Sequence, residues 1–191
     1  MNKAILEQFN QYLNKREDDE YLFMKIAFQA APTLVNIKPS SLIALSNHSR
    51  DILNIWEEQK DRICSRLNVY YFELLKSENH ISILFYQRNK IVQTLEKTEN
   101  KDFLKNMGYC IGNLEDILQR LKKRFQEKFP HEIGIFLGYP LEDVKGFIEY
   151  QGTSFLLCGY WKVYHNPEQA LKVFRKYDLA RMRYLLELMT Q

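Results

Sequence analysis

Glycine is missing from the first 107 residues of this 191-residue chain, although the whole chain contains seven glycines. Five of the seven lie between Phe129 and Tyr164, and Gly108 and Gly112 lie just before them. Glycine costs conformational entropy, so it is useful where the backbone needs a positive φ angle or a very close neighbour. The distribution therefore predicts unusual backbone geometry between Phe129 and Tyr164, and this is where we expect a functional site.

Cysteine is also scarce, and its spacing excludes two kinds of structural site. The three cysteines, Cys64, Cys110 and Cys158, are an odd number at wide spacing and form no CxxC pair. This pattern fits neither a disulfide framework nor a zinc ribbon. It favours a location in the reducing cytoplasm, where thiols stay unpaired.

A metal site is not indicated either. The pair His131-Glu132 resembles the start of a zinc-protease motif, but that motif needs a second histidine four residues after the first. Ile135 occupies that position. We therefore expect no bound metal.

Long apolar runs and strong net charge are absent as well. No run approaches the roughly 20 residues that cross a bilayer. The N-terminal residues lack the apolar core and the small-residue cleavage site of a signal peptide. The net charge of +3 and the pI of about 8.6 are only mildly basic, which requires no nucleic-acid partner. We expect a protein that contacts neither membranes nor nucleic acids.

The hydrophobic content, 46% of residues, is ample for a buried core. No repeat, low-complexity tract or flexible linker interrupts the chain, so we expect one domain over 1–191. Helical periodicities dominate, and the strands are too few and too unevenly spaced for a doubly wound sheet. The sequence predicts an α+β fold that is mostly helical, around a small mixed or antiparallel sheet.

The expected strands lie in three places. Two β-branched and aromatic runs within 69–87 predict a hairpin, and both runs are apolar on both faces, which predicts layers on both sides of the sheet. A short strand is plausible at 41–45. The stretch 154–164 is predicted as one long strand, whose alternation would place Cys158, Tyr160 and Lys162 on one face.

Helix starts are marked by capping residues. Asn113 is expected to cap the clearest amphipathic helix, at 114–129, and Asn166 a later one. Pro130 and Gly138 delimit a short helix at 130–138. Asp178 is expected to cap a separate last helix.

Several runs of this sequence resemble one known family: HEIGIFLGYP from His131, LEDVKGFI from Leu141 and CGYWKVY from Cys158. TLVNIKPSSLIAL from Thr33 and ILFYQRNKIVQTL from Ile83 are similar to the same family. It is a family of short bacterial proteins, mostly from anaerobic Gram-positive bacteria, catalogued as domain of unknown function 3793. The resemblance covers nearly the whole chain, and it implies no activity and no catalytic residues.

Cys158 is the best candidate nucleophile, because a lysine beside it, Lys162, would lower the pKa of its thiol. A cysteine and a histidine with an orienting carboxylate form a known catalytic arrangement, so Cys158, His131 and Glu132 are candidate catalytic residues. Each also has a structural alternative. Cys158 can be an inert core residue, and His131 and Glu132 can serve the start of a helix.

Aromatic residues in the same stretch are candidates for ligand binding. Tyr139, Tyr160 and Trp161 can line a pocket for a flat molecule, and Lys162 can hold its anionic group. Packing in the core is the alternative for the aromatic rings. No GxGxxG or GxxxxGK[ST] motif is present, so no cofactor is assigned.

Two hypotheses of function remain. The first is a small ligand-binding protein or enzyme whose site lies where helix 130–138 meets strand 154–164. The second is a non-catalytic interaction module, whose glycines serve only tight packing and whose basic faces, at 120–128 and 172–183, meet an acidic protein. The glycine cluster favours the first, because a packed fold does not need so much backbone freedom in one place.

Overall fold

The computed structural model describes residues 3–47 and 49–190. This part of the chain contains nine helices and five strands. In chain order they are α1 (Lys3–Asn14), α2 (Asp18–Leu34), β1 (Ser40–Ser46), α3 (Ile52–Leu67), β2 (Tyr70–Lys76), β3 (His80–Tyr86), α4 (Arg88–Leu95), α5 (Thr98–Asn106), α6 (Leu114–Glu127), α7 (Ile133–Phe136), α8 (Leu141–Glu149), β4 (Leu157–Cys158), β5 (Lys162–Val163) and α9 (Pro167–Met189).

The main sheet is antiparallel, with the strand order β1-β3-β2. The predicted hairpin is β2–β3, and the expected short strand at 41–45 is part of β1, which pairs with β3 in the register Ile43↔Ile83. The β2–β3 pairing is interrupted by an irregularity between Glu73 and Leu75. The predicted α+β, mostly helical fold is confirmed.

Helices cover both faces of this sheet, as the apolar pattern of its strands predicts. Because successive side chains of a strand point to opposite faces, Ile81, Ile83 and Phe85 pack into one core, with α1, α2, α3 and the end of α9. Leu84 and Tyr86 pack into a second core, with α4 to α8. The single strand β3 therefore contributes to both.

Helix capping follows the sequence at two positions and departs from it at a third. The side chains of Asn113 and Asn166 accept hydrogen bonds from the backbone N–H groups of Glu115 and Gln169, both at 3.1 Å. Asp178 does not start a separate helix, because α9 runs unbroken for 23 residues. Its carboxylate instead accepts a hydrogen bond from the hydroxyl of Tyr160 at 2.8 Å, so a tertiary partner replaces the capping role.

The stretch 154–164 does not form the predicted long strand. It folds back at Gly159 into a tight hairpin, in which β4 and β5 pair only with each other. A Cβ atom at Gly159 would lie 2.2 Å from Cε2 of Phe174 on α9, so only glycine allows the turn to sit this close to the helix. The predicted helix 130–138 is also shorter, since only the four residues of α7 are helical.

Among the helices of the described residues, none combines the length and the apolar character that crossing a membrane requires.

Candidate functional site

A cavity of about 320 Å³ lies between α7, α8 and the β4–β5 hairpin, which is the place where the sequence predicts a site. Its size falls in the range of roughly 300–1,000 Å³ that is typical of small-molecule sites. Most of its lining side chains are aromatic or aliphatic. They are Phe129, His131, Ile133, Leu137, Tyr139, Asp143, Val144, Phe147, Cys158, Trp161 and Lys162, with Gly134 and Gly159 between them.

Tyr139 and Trp161 form a fixed aromatic wall. Their rings stack with centroids 4.8 Å apart and planes 25° from parallel. The indole N–H of Trp161 donates to Oδ2 of Asp143 at 2.7 Å, and the hydroxyl of Tyr139 donates to the backbone oxygen of Tyr160 at 3.2 Å. Burial raises the pKa of Tyr139 to about 12, so this hydroxyl keeps its proton. Both rings are therefore held in place without a ligand.

Asp143 fixes the position of Trp161 by accepting the hydrogen bond of its indole. Its carboxylate is 2% exposed, and Oδ1 accepts the backbone N–H groups of Tyr164 and His165, both at 2.8 Å. With the indole of Trp161 it accepts three hydrogen bonds, which compensates for burying a charge. Asp143 thus ties α8 to the chain after β5.

His131 stands at the rim of the cavity. Its side chain is exposed, and its ring centroid lies 5.0 Å from that of Phe147 and 6.3 Å from that of Phe129. The predicted candidate therefore borders the cavity, packed against two aromatic residues that also line it.

Cys158 and Lys162 face each other across the β4–β5 hairpin, and both line the cavity. The thiol of Cys158 is exposed, which excludes the alternative of an inert core cysteine. The ammonium of Lys162 donates to the backbone oxygen of Gly152 at 2.6 Å and lies 5.0 Å from the ring centroid of Phe155. The two residues are thus direct neighbours across the hairpin, while the ammonium is directed to Gly152.

Glu132 lies outside the cavity, although it follows His131 directly. It is 1% exposed, accepts a hydrogen bond from the hydroxyl of Tyr109 at 2.9 Å and pairs with the guanidinium of Arg124. Burial first, and then the charge of Glu132, raises the pKa of Tyr109. This pair joins α6 to the start of α7, so the structure does not bring cysteine, histidine and carboxylate together as a catalytic set.

Tyr160 also points away from the cavity. Its hydroxyl donates to Asp178, and its ring lies 4.9 Å from Cζ of Arg181. Burial raises the pKa of Tyr160. Because the chain reverses at Gly159, strict strand alternation does not hold here, and Tyr160 leaves the face that Cys158 and Lys162 share.

Close packing explains Gly134 and Gly146, whereas Gly138 and Gly152 both have a φ angle of +76°, the unusual backbone geometry that the glycine distribution predicts. A Cβ atom at Gly134 of α7 would lie 2.7 Å from Cγ2 of Val144 on α8, and one at Gly146 would lie 2.6 Å from Cγ of Tyr164. These contacts bring α7, α8 and the chain after β5 together. The cavity itself, and not the glycine cluster, is therefore the observation that supports a site.

Lys38 is a buried cation that the sequence did not reveal. It lies between α2 and β1, is 7% exposed, and its ammonium is 5.4 Å from the ring centroid of Tyr139 and 5.8 Å from that of Tyr177. No carboxylate of the described residues forms an ion pair with it. Burial, and then repulsion by Arg181, lowers the pKa of Lys38 to about 7. The Lys38-Pro39 dipeptide resembles an ordinary surface turn, so no local signal marks it.

Within residues 3–47 and 49–190, no three His, Cys, Asp or Glu side chains come together in an arrangement that could hold a metal ion.

Fold and cavity together define an α+β protein with an aromatic cleft between a helix pair and a short hairpin. The chain belongs to the family described as "protein of unknown function (DUF3793)", whose model matches residues 26–191. This confirms the resemblance seen in the sequence. No curated protein and no solved structure is significantly similar to it.

Proposed function

We propose that the protein binds a small aromatic molecule in the cavity between α7, α8 and the β4–β5 hairpin. The observation that carries this proposal is a cavity of about 320 Å³ with an aromatic wall. Hydrogen bonds from Trp161 to Asp143 and from Tyr139 to the backbone oxygen of Tyr160 fix this wall. An apolar site that is already shaped loses little freedom when a ligand enters, which favours affinity.

The size of the cavity favours a ligand of about two rings. An apolar cavity of about 150 Å³ accommodates benzene, and this one is roughly twice as large. Burying about 200 Å² of apolar ligand surface gains on the order of 5 kcal/mol. Since association itself costs several kcal/mol, binding of simple two-ring compounds should be weak, with dissociation constants of about a millimolar or above.

Binding, not catalysis, is the activity that we propose. Cys158 and His131 border the same cavity, but Glu132 is engaged by Arg124 and Tyr109 and cannot orient the histidine. The unpaired thiols are consistent with a reducing, cytoplasmic setting for this binding protein.

The test is a ligand series with one, two and three fused rings, measured by thermal shift and by the fluorescence of Trp161. A ligand at 100 times its dissociation constant adds about 2.7 kcal/mol to the free energy of unfolding. The variant Cys158→Trp fills the mouth of the cavity and should abolish binding. Cys110→Trp is the matched control, because Cys110 is also exposed but does not line the cavity.

Two outcomes contradict the proposal. One is the absence of any thermal shift or fluorescence change across the whole series. The other is equal binding by the Cys158→Trp and Cys110→Trp variants. The Trp161→Phe variant separates quenching at the cavity from quenching at Trp56, the second tryptophan, which lies in the other core.

A second candidate function is an interaction module for an acidic protein. On α9 the side chains of Lys172, Arg175 and Lys176 are exposed, and those of Leu179 and Leu186 are 59% and 57% exposed. Apolar residues among cations suit a partner that is both acidic and apolar. Charge reversal at Lys172 and Lys176 should abolish a salt-dependent pull-down. If the same partner is retained in full, this candidate is excluded.

A further inference from the structure

Charge at the mouth of the cavity distinguishes between classes of aromatic ligand. The one carboxylate among the described residues that line the cavity is Asp143, and its three accepted hydrogen bonds leave it engaged with the protein. Lys162 is the only lysine or arginine among the same residues. The site therefore offers hydrogen-bond donors to a ligand, and no free anion to a cationic one.

The ammonium of Lys162 has more N–H donors than its hydrogen bond to Gly152 uses. An ammonium group carries three N–H donors, and the structure directs one of them to the backbone oxygen of Gly152. No carboxylate of the described residues forms an ion pair with Lys162. Its ammonium lies among aromatic rings, 5.0 Å from the centroid of Phe155 and 5.8 Å from that of Phe147. Lys162 is half-buried, so its ammonium can reach a ligand at the mouth of the cavity and form a charge-assisted hydrogen bond.

We infer that the natural ligand is an aromatic carboxylate of about two rings, whose acid group binds Lys162 while its rings lie in the cavity. This inference rests on the proposed function and goes further, because it fixes the charge of the ligand and its orientation. The rings contact the aromatic wall, and the carboxylate stays at the half-buried mouth, where its desolvation is small. Cys158, opposite Lys162 in the hairpin, is then covered by the bound ligand.

Three probes of nearly equal shape test the inference: 2-naphthoate, which is anionic, 2-naphthamide, which is neutral, and 2-naphthylmethylammonium, which is cationic. One charge-assisted hydrogen bond in a half-exposed position corresponds to roughly tenfold in affinity. At neutral pH and low salt the naphthoate should therefore bind about tenfold more tightly than the amide, and the cation should bind most weakly. High salt should reduce the preference.

Variants assign the preference to one side chain. Lys162→Met keeps most of the apolar stem and should make the naphthoate and the amide equal, whereas Lys162→Arg should restore the preference for the anion. Lys172→Met is the matched control, because Lys172 is an exposed lysine on α9 that does not line the cavity. A melting temperature for each variant shows that the fold is intact.

The rates at which the two exposed thiols are modified report the orientation of the bound ligand, with one thiol serving as the internal control. Bound 2-naphthoate should slow modification of Cys158 by a thiol reagent and leave Cys110 unaffected, since only Cys158 lines the cavity.

The outcomes separate this inference from the proposed function. If the amide binds as tightly as the naphthoate, or the cation binds best, the inference is overturned while binding of aromatic molecules stands. If Lys162→Met keeps the preference for the anion, the assignment to Lys162 is wrong. If no probe binds to the wild-type protein, the proposed function fails as well.

Discussion

The two tryptophans of this protein lie in two different kinds of environment. Trp56 on α3 is fully buried, and its indole N–H donates to Oε1 of Glu73 at 2.9 Å. Trp161 between β4 and β5 is 8% exposed, and its indole N–H donates to Oδ2 of Asp143 at 2.7 Å. Both side chains thus satisfy their polar atom with a carboxylate, as buried tryptophans generally must.

The difference lies in what surrounds the rings. Trp56 meets the edges of Tyr71 and Phe85 on the three-stranded sheet, with centroids 5.2 Å and 5.6 Å away. Trp161 lies on a hairpin with only two residues in each strand, and one side of it borders the cavity. Trp56 is enclosed on all sides against the sheet, whereas Trp161 owes its burial to Tyr139 and to Phe174 of α9. The comparison teaches that the cavity lies where a two-stranded hairpin, and not the three-stranded sheet, packs against the helices.

The three cysteines give the largest expected contrast between these regions. Cys64 lies in the same core as Trp56, and burial, helped by Asp61, raises the pKa of its thiol to about 12. At pH 8 its thiolate fraction is then on the order of a thousandfold below that of an ordinary cysteine. A thiol reagent should modify Cys110 and Cys158 in the native protein and Cys64 only in denaturant. Rapid native labelling of all three thiols would show that the Trp56 core is open too.

Replacing each tryptophan by alanine should distinguish the two regions by the loss in the free energy of unfolding. Trp56→Ala should lower the free energy of unfolding by about 3–5 kcal/mol, because it leaves a closed cavity. Trp161→Ala should cost about 2–3 kcal/mol, since water from the existing cavity can fill the space and solvate Asp143. Urea unfolding measures both values. Equal losses would mean that the cavity is not connected to solvent.

Lys38 lies at the boundary between the regions. Its protonation should make the free energy of unfolding depend on pH, by an amount on the order of a few kcal/mol. Its pKa is about 7 in the folded protein against the ordinary value of 10.5. Between these values the unfolded chain binds more protons, so stability should rise with pH from 7 towards 10.5, and the full cost of burial applies below about pH 7. Lys38→Met should therefore stabilise the protein most at pH 6 and progressively less towards pH 9.5.

The control for this effect is Lys172→Met, which removes an exposed lysine and should change stability little at any pH. A Lys38→Met variant whose stability runs parallel to that of the wild type across this range would show that Lys38 does not titrate there.

Substitution of the hairpin glycine Gly159 should change the free energy of unfolding least. Gly159→Ala places a methyl group 2.2 Å from Cε2 of Phe174, and relieving this overlap should cost about 1–3 kcal/mol. Gly112→Ala is the matched control, because its Cβ atom would meet nothing within 4 Å. That substitution should be neutral or slightly stabilising. A neutral Gly159→Ala would show that the hairpin moves away from α9 easily.

Features decided by neighbours in the sequence could be predicted from it. The caps at Asn113 and Asn166 depend on backbone groups two or three residues away, and the β2–β3 hairpin depends on two adjacent runs of aromatic and aliphatic residues. A cavity lies where the sequence predicts a site, and the glycines and prolines of 129–164 mark the bends that bring α7, α8 and the hairpin together. That this cavity is a functional site stays a prediction.

Features decided by distant partners could not be predicted. Glu132 is directed by Tyr109 and Arg124 and not by its neighbour His131. Asp178 lies within a continuous helix and accepts a hydrogen bond from Tyr160, which a search for caps cannot foresee. The burial of Lys38 follows from the placement of tyrosines more than 100 residues later. In each case side-chain chemistry was visible in the sequence, but the direction of the side chain was not.

Both regions share β3, which sends side chains into two cores. For this reason we propose that 1–191 folds as one domain, and we expect a single unfolding transition by circular dichroism and by tryptophan fluorescence.

The long final helix, α9, gives the two regions a common mechanical element. Near its start Ala170, Phe174 and Tyr177 pack against the hairpin, and near its end Leu185 and Leu188 enter the core that contains Trp56. At 1.5 Å per residue its 23 residues extend about 35 Å. Because one continuous helix contacts both regions, any displacement of the β4–β5 hairpin would be transmitted along α9 to the packing around Trp56.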